Sequence, residues 1–301
     1  MRENKKIKPF IKWAGGKSQL LPEIEKRLPS FIFDNEKFNY VEPFIGSGAV
    51  LFHLLTNYSD NINKIVINDL NTRLIYLYET IINKPIIFIE KINEIKKIHN
   101  NLEPIEQKEF YLNRRKEFNR LDVAEKNKID ISVLFLFLNK TGFNGMYREN
   151  SKGLYNIPFG KQKSPSFIDE QNILNISNKL KSRLEIRNES YEKILLNNED
   201  LPTFYYLDPP YEPVSNTSNF TQYVNGSDFA NSGSLTRLND YCDKIKENGG
   251  YLMLSNSDTE ETINSLSVIG NVVRVNARRN INSIGSKRGK INELIIRNFK
   301  K

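Results

Sequence analysis

The sequence contains a single cysteine, Cys242, and only two histidines, His53 and His99. One thiol cannot form an internal disulfide bond, which excludes the disulfide-rich secreted domains and indicates a reducing compartment. Two histidines and one cysteine do not supply the ligand set of a zinc site. We therefore expect no metal.

Long apolar runs are missing as well. The longest lies at residues 133–138, whereas a membrane-spanning helix needs about 20 apolar residues. The N-terminus is charged and lacks the apolar core of a secretion signal. We expect a cytoplasmic protein without a membrane partner.

A third absence is a complete phosphate-binding P-loop, although the stretch FIKWAGGKSQLL near the N-terminus contains GGKS. A P-loop has a glycine five residues before the glycine of its GK pair, and a strand just upstream. Here the pair is Gly16 and Lys17, the required position holds Ile11, and residues 1–8 are rich in Lys and Asn. The pattern instead favours a glycine-rich turn that leads into a helix at residues 18–28.

The composition that is present supports a large core and an acidic partner. Hydrophobic residues make up 39% of the 301 residues. Lys and Arg number 44 against 36 Asp and Glu, which gives a net charge of +8. Such an excess favours a polyanionic partner such as nucleic acid, although many basic proteins bind none.

Four short apolar runs are each followed by polar residues, and helix-like segments separate them. This pattern predicts an α/β fold with a parallel sheet and helices on both faces. Ligands of such sheets bind at the carboxyl ends of the strands. Two further runs near the C-terminus predict an antiparallel edge pair. The six runs lie at residues 40–41, 65–67, 204–207, 251–254, 272–275 and 293–297.

The middle of the chain has a different pattern. Residues 72 to about 120 have helical periodicity, and an apolar helix is predicted at 129–138, with Phe135 and Phe137 in the core. Residues 147–155 resemble a β-hairpin whose turn is NSKG. We interpret residues 73–168 as a helical domain with a hairpin, inserted into an α/β domain formed by residues 1–72 and 169–301.

The first predicted strand leads into EPFIGSG, where Gly46 and Gly48 precede an apolar helix at residues 49–55. Glycines at this point let a nucleotide-like ligand approach the backbone closely. Asp69 follows Gly48 by 21 residues, an interval typical of a carboxylate that binds ribose hydroxyls. A plain tight turn and helix cap would give the same residues. The third glycine of the dinucleotide motif is missing, which leaves room for a nucleoside ligand without a pyrophosphate.

The third apolar run leads into LDPPY, which contains Asp208, Pro209, Pro210 and Tyr211. Two prolines fix the backbone and remove two N–H donors. The local surface then offers carbonyl oxygens, a carboxylate and an aromatic ring. Such a surface suits an exocyclic amino group, with the ring stacked on a base.

The segments FIKWAGGK, EPFIGSG, INDLN, GFNGMYR and LDPPY, in this order, resemble the Dam-type DNA adenine-N6 methyltransferases of the alpha class. LSNS and NELIIRN extend the resemblance to the C-terminus. It implies a Rossmann-like methyltransferase fold, with a mixed, mostly parallel sheet and an inserted helical target-recognition domain that carries a β-hairpin. It also implies an adenine-specific DNA methyltransferase that uses S-adenosylmethionine as methyl donor and needs no metal.

The resemblance further implies a role for individual residues. The residues implied to bind the cofactor are Trp13, Lys17, Phe44, Gly46, Gly48, Asp69 and Asp208. Asp208, Pro209, Pro210 and Tyr211 are implied to form the catalytic site for an adenine that leaves the duplex. Two positions for the Lys17 cation stay open, the methionine carboxylate and Asp208.

The implied partner is double-stranded DNA, most simply at GATC. The residues implied to contact DNA are Lys12, Phe143, Asn144, Met146, Arg148 and Pro158. Among them, Lys12 and Arg148 each match a residue that reads guanine, and Met146 matches one that contacts thymine. From the residues alone, Arg148 would be interpreted as a hairpin salt bridge or a phosphate contact. A cognate restriction endonuclease is a possible genetic partner of this restriction-modification type of enzyme, and a monomer or weak dimer is expected.

Two alternatives stay open at this stage, and a third, cytosine-C5 methylation, is disfavoured. An enzyme of the same fold could act on another DNA site, on RNA or on a protein glutamine. Relatives that act on RNA or on a protein glutamine tend to carry Asn in place of Asp208. A DNA-binding relative without catalysis would have damage at Trp13, Lys17 or LDPPY, and all are intact. Cytosine-C5 methylation needs a cysteine nucleophile, and Cys242 lies in a helix-like segment without a neighbouring proline.

Overall fold

The computed structural model describes residues 6–162, 165–197, 200–211, 233–278 and 290–300. From the sequence, residues 212–234 are expected to form a loop that orders on substrate binding, and the basic run SKRGK at residues 286–290 is expected to be a solvated loop. Most of both segments lies outside the described residues.

A seven-stranded sheet in the order β3-β2-β1-β4-β5-β7-β6 forms the centre of the molecule. Strands β1 to β5 pair in parallel, and β7 pairs antiparallel with both β5 and β6. The strands are β1 Phe38–Glu42, β2 Ile62–Asn68, β3 Leu184–Arg187, β4 Thr203–Leu207, β5 Tyr251–Ser257, β6 Asn271–Arg278 and β7 Lys290–Arg297. The four predicted parallel strands and the predicted antiparallel pair are confirmed, as is the mixed α/β class.

The central strands are apolar on both faces because helices cover both. Tyr40 and Phe204 belong to the hydrophobic core on one face of the sheet. Val41 and Tyr205, one residue further along, belong to the core on the other face. Alternate residues of a strand point to opposite faces, so a strand buried on both sides appears in the sequence as a continuous apolar run.

The described residues contain ten α-helices. They are α1 Leu21–Glu25, α2 Ser30–Phe33, α3 Ala49–Asn57, α4 Thr72–Asn83, α5 Pro85–Asn100, α6 Pro104–Arg120, α7 Lys128–Thr141, α8 Glu170–Leu180, α9 Ser234–Glu247 and α10 Glu260–Leu266. Helix α7 packs against α4, α5 and α6. Phe135 and Phe137 on α7 are buried, which confirms their predicted place in the core. None of these helices is long and apolar enough to cross a membrane.

The predicted helix at residues 18–28 is wrong in its extent. A short 3-10 turn covers Lys17–Gln19, and α1 covers only Leu21–Glu25. Pro22 explains the break, because its ring would clash with the carbonyl of Ser18 and it has no N–H to donate. The helix therefore starts again with Pro22 in its first turn, where that missing donor costs nothing.

The predicted hairpin turn is confirmed. Gly153 N donates to Asn150 O at 2.9 Å, and Gly153 has a φ of +70°. Beyond the turn, Glu149 and Tyr155 form an isolated antiparallel bridge in place of a regular ladder. The side chain of Asn119 on α6 makes two hydrogen bonds to the backbone of Tyr155, at 2.9 and 3.0 Å. The hairpin is thus fastened to the helices that precede it.

Candidate active site

The carboxyl ends of β1 and β2 meet at the EPFIGSG turn. Gly46 and Gly48 have φ values of +45° and +68°, a backbone region that favours glycine. Gly46 N donates to Asp69 Oδ2 at 3.2 Å. A Cβ atom on Gly46 would lie 2.8 Å from Trp13 Cδ1. Three residues that the sequence places in one pocket, Trp13, Gly46 and Asp69, are therefore in contact.

The carboxyl group of Asp69 is a weaker acid than an ordinary aspartate. Burial raises its pKa to about 6, although hydrogen bonds from the backbone of Asn71 and Gly46 act in the opposite direction. A buried carboxylate is stabilised by further donors. Hydroxyl groups of a ligand would supply them at this strand end.

Trp13 forms part of an aromatic stack. Its ring centroid lies 5.8 Å from that of Tyr147 and 6.3 Å from that of Phe135, both nearly parallel to it. Phe44, at the end of β1, packs instead against Tyr191, at 5.0 Å between ring centroids. Trp13 is thus held between the glycine turn on one side and the helical segment and hairpin on the other.

The carboxyl end of β4 carries Asp208, which lies next to Lys17. Lys17 Nζ is 2.9 Å from Asp208 Oδ1, and it donates to Gly15 O at 2.8 Å. Burial raises the pKa of Asp208 to about 6, and the Lys17 charge lowers it. Of the two positions left open for the Lys17 cation, the structure shows the one at Asp208.

Two residues follow Asp208 before the aromatic ring of the motif. Pro209 is buried, and Pro210 is half-buried. The Tyr211 ring centroid lies 4.8 Å from Lys17 Nζ, within cation–π range. Asp208, Tyr211 and Lys17 therefore form one cluster.

Sequence reasoning missed two carboxylates of this site. Glu293 on β7 accepts a hydrogen bond from Tyr211 OH at 3.0 Å, and its Oε2 lies 3.7 Å from Lys17 Nζ. Glu42, at the end of β1, accepts from Tyr40 OH at 2.8 Å, and burial raises its pKa well above the ordinary value. A charged residue within an apolar strand, as in NELIIRN, was the available signal.

The residues implied to contact DNA form a second cluster beside Trp13. The Asn139 side chain accepts from Lys12 N at 3.0 Å and donates to both Lys12 O and Gly145 O at 2.8 Å. A Cβ on Gly145 would lie 2.6 Å from Lys12 Cδ, so the two segments touch. Burial and the charge of Lys12 lower the pKa of Lys140 to about 8. Lys140 is not among the residues that the sequence implies to contact DNA.

The other members of this cluster are presented around the same turn. Phe143, Asn144 and Pro158 are exposed, and Phe143 N donates to Pro158 O at 2.9 Å. Met146 is half-buried. Arg148 Nε donates to Asn156 Oδ1 at 2.8 Å, which is a hydrogen bond across the hairpin and not the salt bridge of the alternative interpretation.

No group of three His, Cys, Asp or Glu side chains that could hold a metal ion occurs in the part of the chain that the structure describes.

Comparison of the amino-acid sequence with known proteins identifies one family. The family described as D12 class N6 adenine-specific DNA methyltransferase matches residues 13–281. The chain is similar to the type II methyltransferase M.MjaIII of Methanocaldococcus jannaschii, 40% identical over 97% of this chain and 99% of that protein. It is also similar to the type II methyltransferase M1.LlaDCHI of Lactococcus lactis subsp. cremoris, 34% identical over 99% and 98%. The DNA adenine methylase of Vibrio cholerae is 34% identical over 97% and 96%. The chain belongs to the D12 class of N6 adenine-specific DNA methyltransferases.

Proposed function

We propose that the protein transfers a methyl group from S-adenosylmethionine to N6 of an adenine that is flipped out of double-stranded DNA, in the sequence GATC. One observation carries the proposal. The Trp13–Gly46–Asp69 pocket and the Asp208–Tyr211 cluster lie at the ends of adjacent strands, because β1 pairs with both β2 and β4. The DNA cluster around Lys12 begins one residue before Trp13.

The first pocket fits the methyl donor. The bound donor supplies a methyl group that is already activated by a sulfonium charge. Asp69 accepts the ribose hydroxyls, which adds hydrogen bonds to a carboxylate whose burial is costly. Trp13 and Phe44 give apolar contact, and the turn at Gly46 and Gly48 allows close approach of the backbone.

The second cluster fits the amino group of adenine. The N6 lone pair is delocalised into the ring, so the amino group is a weak nucleophile. Asp208 and the Pro209 carbonyl accept its two N–H bonds and favour tetrahedral geometry at nitrogen. Tyr211 stacks on the base. Lys17 holds Asp208 in its charged, accepting form, and alignment of the two reactants accounts for the rest of the acceleration.

The recognition of GATC is assigned to the DNA cluster, whose members other than Lys12 lie in a target-recognition domain of residues 73–168. Arg148 reads a guanine, which is the commonest specific contact of arginine. Its Nε donates to Asn156 Oδ1, and its two terminal nitrogens would make the contact with guanine. Met146 contacts the thymine methyl group, and Lys12 reads the first guanine. Phe143, Asn144 and Pro158 contact the surrounding DNA.

A methyl-transfer assay tests this function. The protein is incubated with S-adenosylmethionine carrying a labelled methyl group and with DNA that lacks adenine methylation. The DNA is then digested to nucleosides, and a second sample is cut with methylation-sensitive nucleases. Label in N6-methyladenine with protection at GATC supports the whole proposal. No label in DNA overturns it, and label without protection at GATC overturns only the recognition sequence.

Removal of the Arg148 side chain is expected to relax specificity at one base pair. Arg148→Ala should cost about 1–3 kcal/mol at the guanine that it reads, and much less on duplexes altered at that base pair. The measurement is kcat/KM on GATC and on duplexes changed at each position in turn. Arg120→Ala, which removes an exposed arginine at the C-terminal end of α6, is the matched control. An equal loss on every duplex would assign Arg148 to a phosphate instead.

The activity of the wild-type protein is expected to fall in mild acid. Burial raises the pKa of Asp208 to about 6, and the proposed role needs the ionised form as acceptor. The single-turnover rate should therefore be constant above about pH 7 and decrease as the pH falls through 6. The rate is measured with saturating donor, so that protonation of Asp69 affects only the donor affinity. A rate that is independent of pH between 5 and 8 would contradict the role of Asp208.

A further inference from the structure

We infer that Glu293 on β7 is a positioning residue of the adenine site, which fixes the Tyr211 ring and the Lys17 ammonium group; the inference rests on the proposed roles of Asp208 and Tyr211. Glu293 lies outside LDPPY and far from it in the sequence. It enters the site only through the topology of the sheet.

The contacts of Glu293 close a network of four side chains. Its Oε2 accepts from Tyr211 OH at 3.0 Å and lies 3.7 Å from Lys17 Nζ. The same Nζ is 2.9 Å from Asp208 Oδ1 and 4.8 Å from the Tyr211 ring centroid. Lys17, Tyr211 and Glu293 therefore contact one another, and Asp208 contacts Lys17, so a displacement of one member is felt by the rest.

The support behind Glu293 is rigid. In the antiparallel ladder, Glu293 is paired with Ser257 on β5 and with Val275 on β6. Its strand is thus bounded on both sides, and its side chain is 21% exposed. Tyr211, in contrast, follows two prolines and belongs to no strand. A group on a loop is placed most accurately when a residue of the rigid scaffold holds it.

The charges of the site also depend on Glu293. Among the described residues, the titratable groups that face Asp208 are Lys17 beside α1, Glu293 on β7, Tyr211, Tyr206 on β4 and Glu42 on β1. One ammonium group thus serves two nearby carboxylates, Asp208 and Glu293. Glu293 opposes ionisation of Asp208, and Lys17 favours it. A neutral residue at position 293 removes the opposing charge.

Three variants separate the positioning effect of Glu293 from the effect of its charge on Asp208. Glu293→Ala removes both the acceptor and the charge, whereas Glu293→Gln keeps an acceptor oxygen for Tyr211 and removes only the charge. Tyr211→Phe removes the hydroxyl donor and keeps the ring. Glu185→Gln, a carboxylate on β3 that pairs with Lys64, is the matched control.

The measured quantity is the single-turnover rate of methyl transfer at saturating donor and GATC duplex, as a function of pH. Glu293→Ala and Tyr211→Phe should each slow the plateau rate about 10- to 100-fold, because each removes a hydrogen bond to a charged group. Their combination should be no slower than the slower of the two single variants. Glu293→Gln should recover most of the rate, and its acid limb should lie at lower pH than that of the wild type. The affinity for the donor and thermal unfolding are measured in parallel.

Additive losses in the double variant would overturn the inference, and so would a wild-type rate and pH profile in Glu293→Ala. A Glu293→Gln variant that folds like the wild type and is as slow as Glu293→Ala would also overturn it. If Glu293→Ala does not fold, the other two variants still test the inference. A wild-type rate in Tyr211→Phe, or an acid limb of Glu293→Gln at the wild-type pH, would overturn it. The absence of methyl transfer by the wild-type protein would instead refute the proposed function.

Discussion

Asp208→Ala is expected to abolish methyl transfer while DNA binding persists. The substitution removes the charged acceptor at the end of β4 and leaves Lys17, only 5% exposed, without its nearest anion. We expect a loss in rate of about 100- to 1000-fold, the size seen when a preorganised group that acts on the transition state is deleted. The measurement is single-turnover methyl transfer to the GATC duplex, together with equilibrium binding of the duplex.

The Asp208→Asn variant separates shape from charge. Asparagine keeps one acceptor oxygen, but its amide nitrogen is a donor that would face either Lys17 or the adenine amino group. We expect a large loss of rate and no acid limb near pH 6, since the titrating group is gone. Asp243→Ala, which removes a solvent-facing carboxylate from α9, should behave like the wild type. A rate within a few-fold of the wild type in Asp208→Ala would refute the assigned mechanism.

Gly46→Ala is expected to block the proposed donor pocket. The new methyl group would lie 2.8 Å from Trp13 Cδ1 and 2.9 Å from Nε1, closer than atoms in contact can be. The Trp13 ring or the turn must therefore move, and the hydrogen bond from Gly46 N to Asp69 would be disturbed. We expect the affinity for S-adenosylmethionine to fall more than about tenfold, an effect of at least 1.4 kcal/mol.

Gly249→Ala provides the matched control. Gly249 has a φ of +70° at the turn between α9 and β5, and a Cβ there would meet no heavy atom within 4 Å. Both variants incur the cost of a left-handed backbone, about 1–2 kcal/mol of stability, but only Gly46→Ala displaces the tryptophan. Trp13 is the single tryptophan of the chain, so its fluorescence reports on the pocket directly. Equal donor affinities in the two variants would contradict the assignment.

The parts of the fold that could be predicted are those in which local sequence and burial agree. β1, β2, β4 and β5 are buried on both faces, so their apolar runs are unmistakable. β3 was missed because LEIR is half-exposed and alternates charged with apolar residues at the outer edge of the sheet. The predicted helix at residues 18–28 is too long because the helical spacing of its apolar residues continues across Pro22, where the chain breaks the helix.

The candidate site could be predicted where its residues stand next to strand ends. Asp208 follows an apolar run directly, and Asp69 follows one after the single residue Asn68. Asp69 contacts Gly46, and Asp208 contacts Lys17. Glu293 could not be placed in this way, because its position depends on the insertion of β7 between β5 and β6. That strand order is a non-local property of the chain. The LDPPY motif specifies an acceptor and a ring, but not the carboxylate that accepts a hydrogen bond from the Tyr211 hydroxyl.

The junction between Trp13 and the hairpin limits how the protein can be re-engineered. Tyr147 of the hairpin stacks on Trp13, which lines the proposed donor pocket. Lys12, the preceding residue, is hydrogen-bonded through Asn139 to the turn at Gly145. The hairpin is therefore not an interchangeable cassette. A transplanted recognition segment would have to bring an aromatic residue at position 147 and a small residue at position 145. Without them, a change of target sequence would also alter the affinity for the methyl donor.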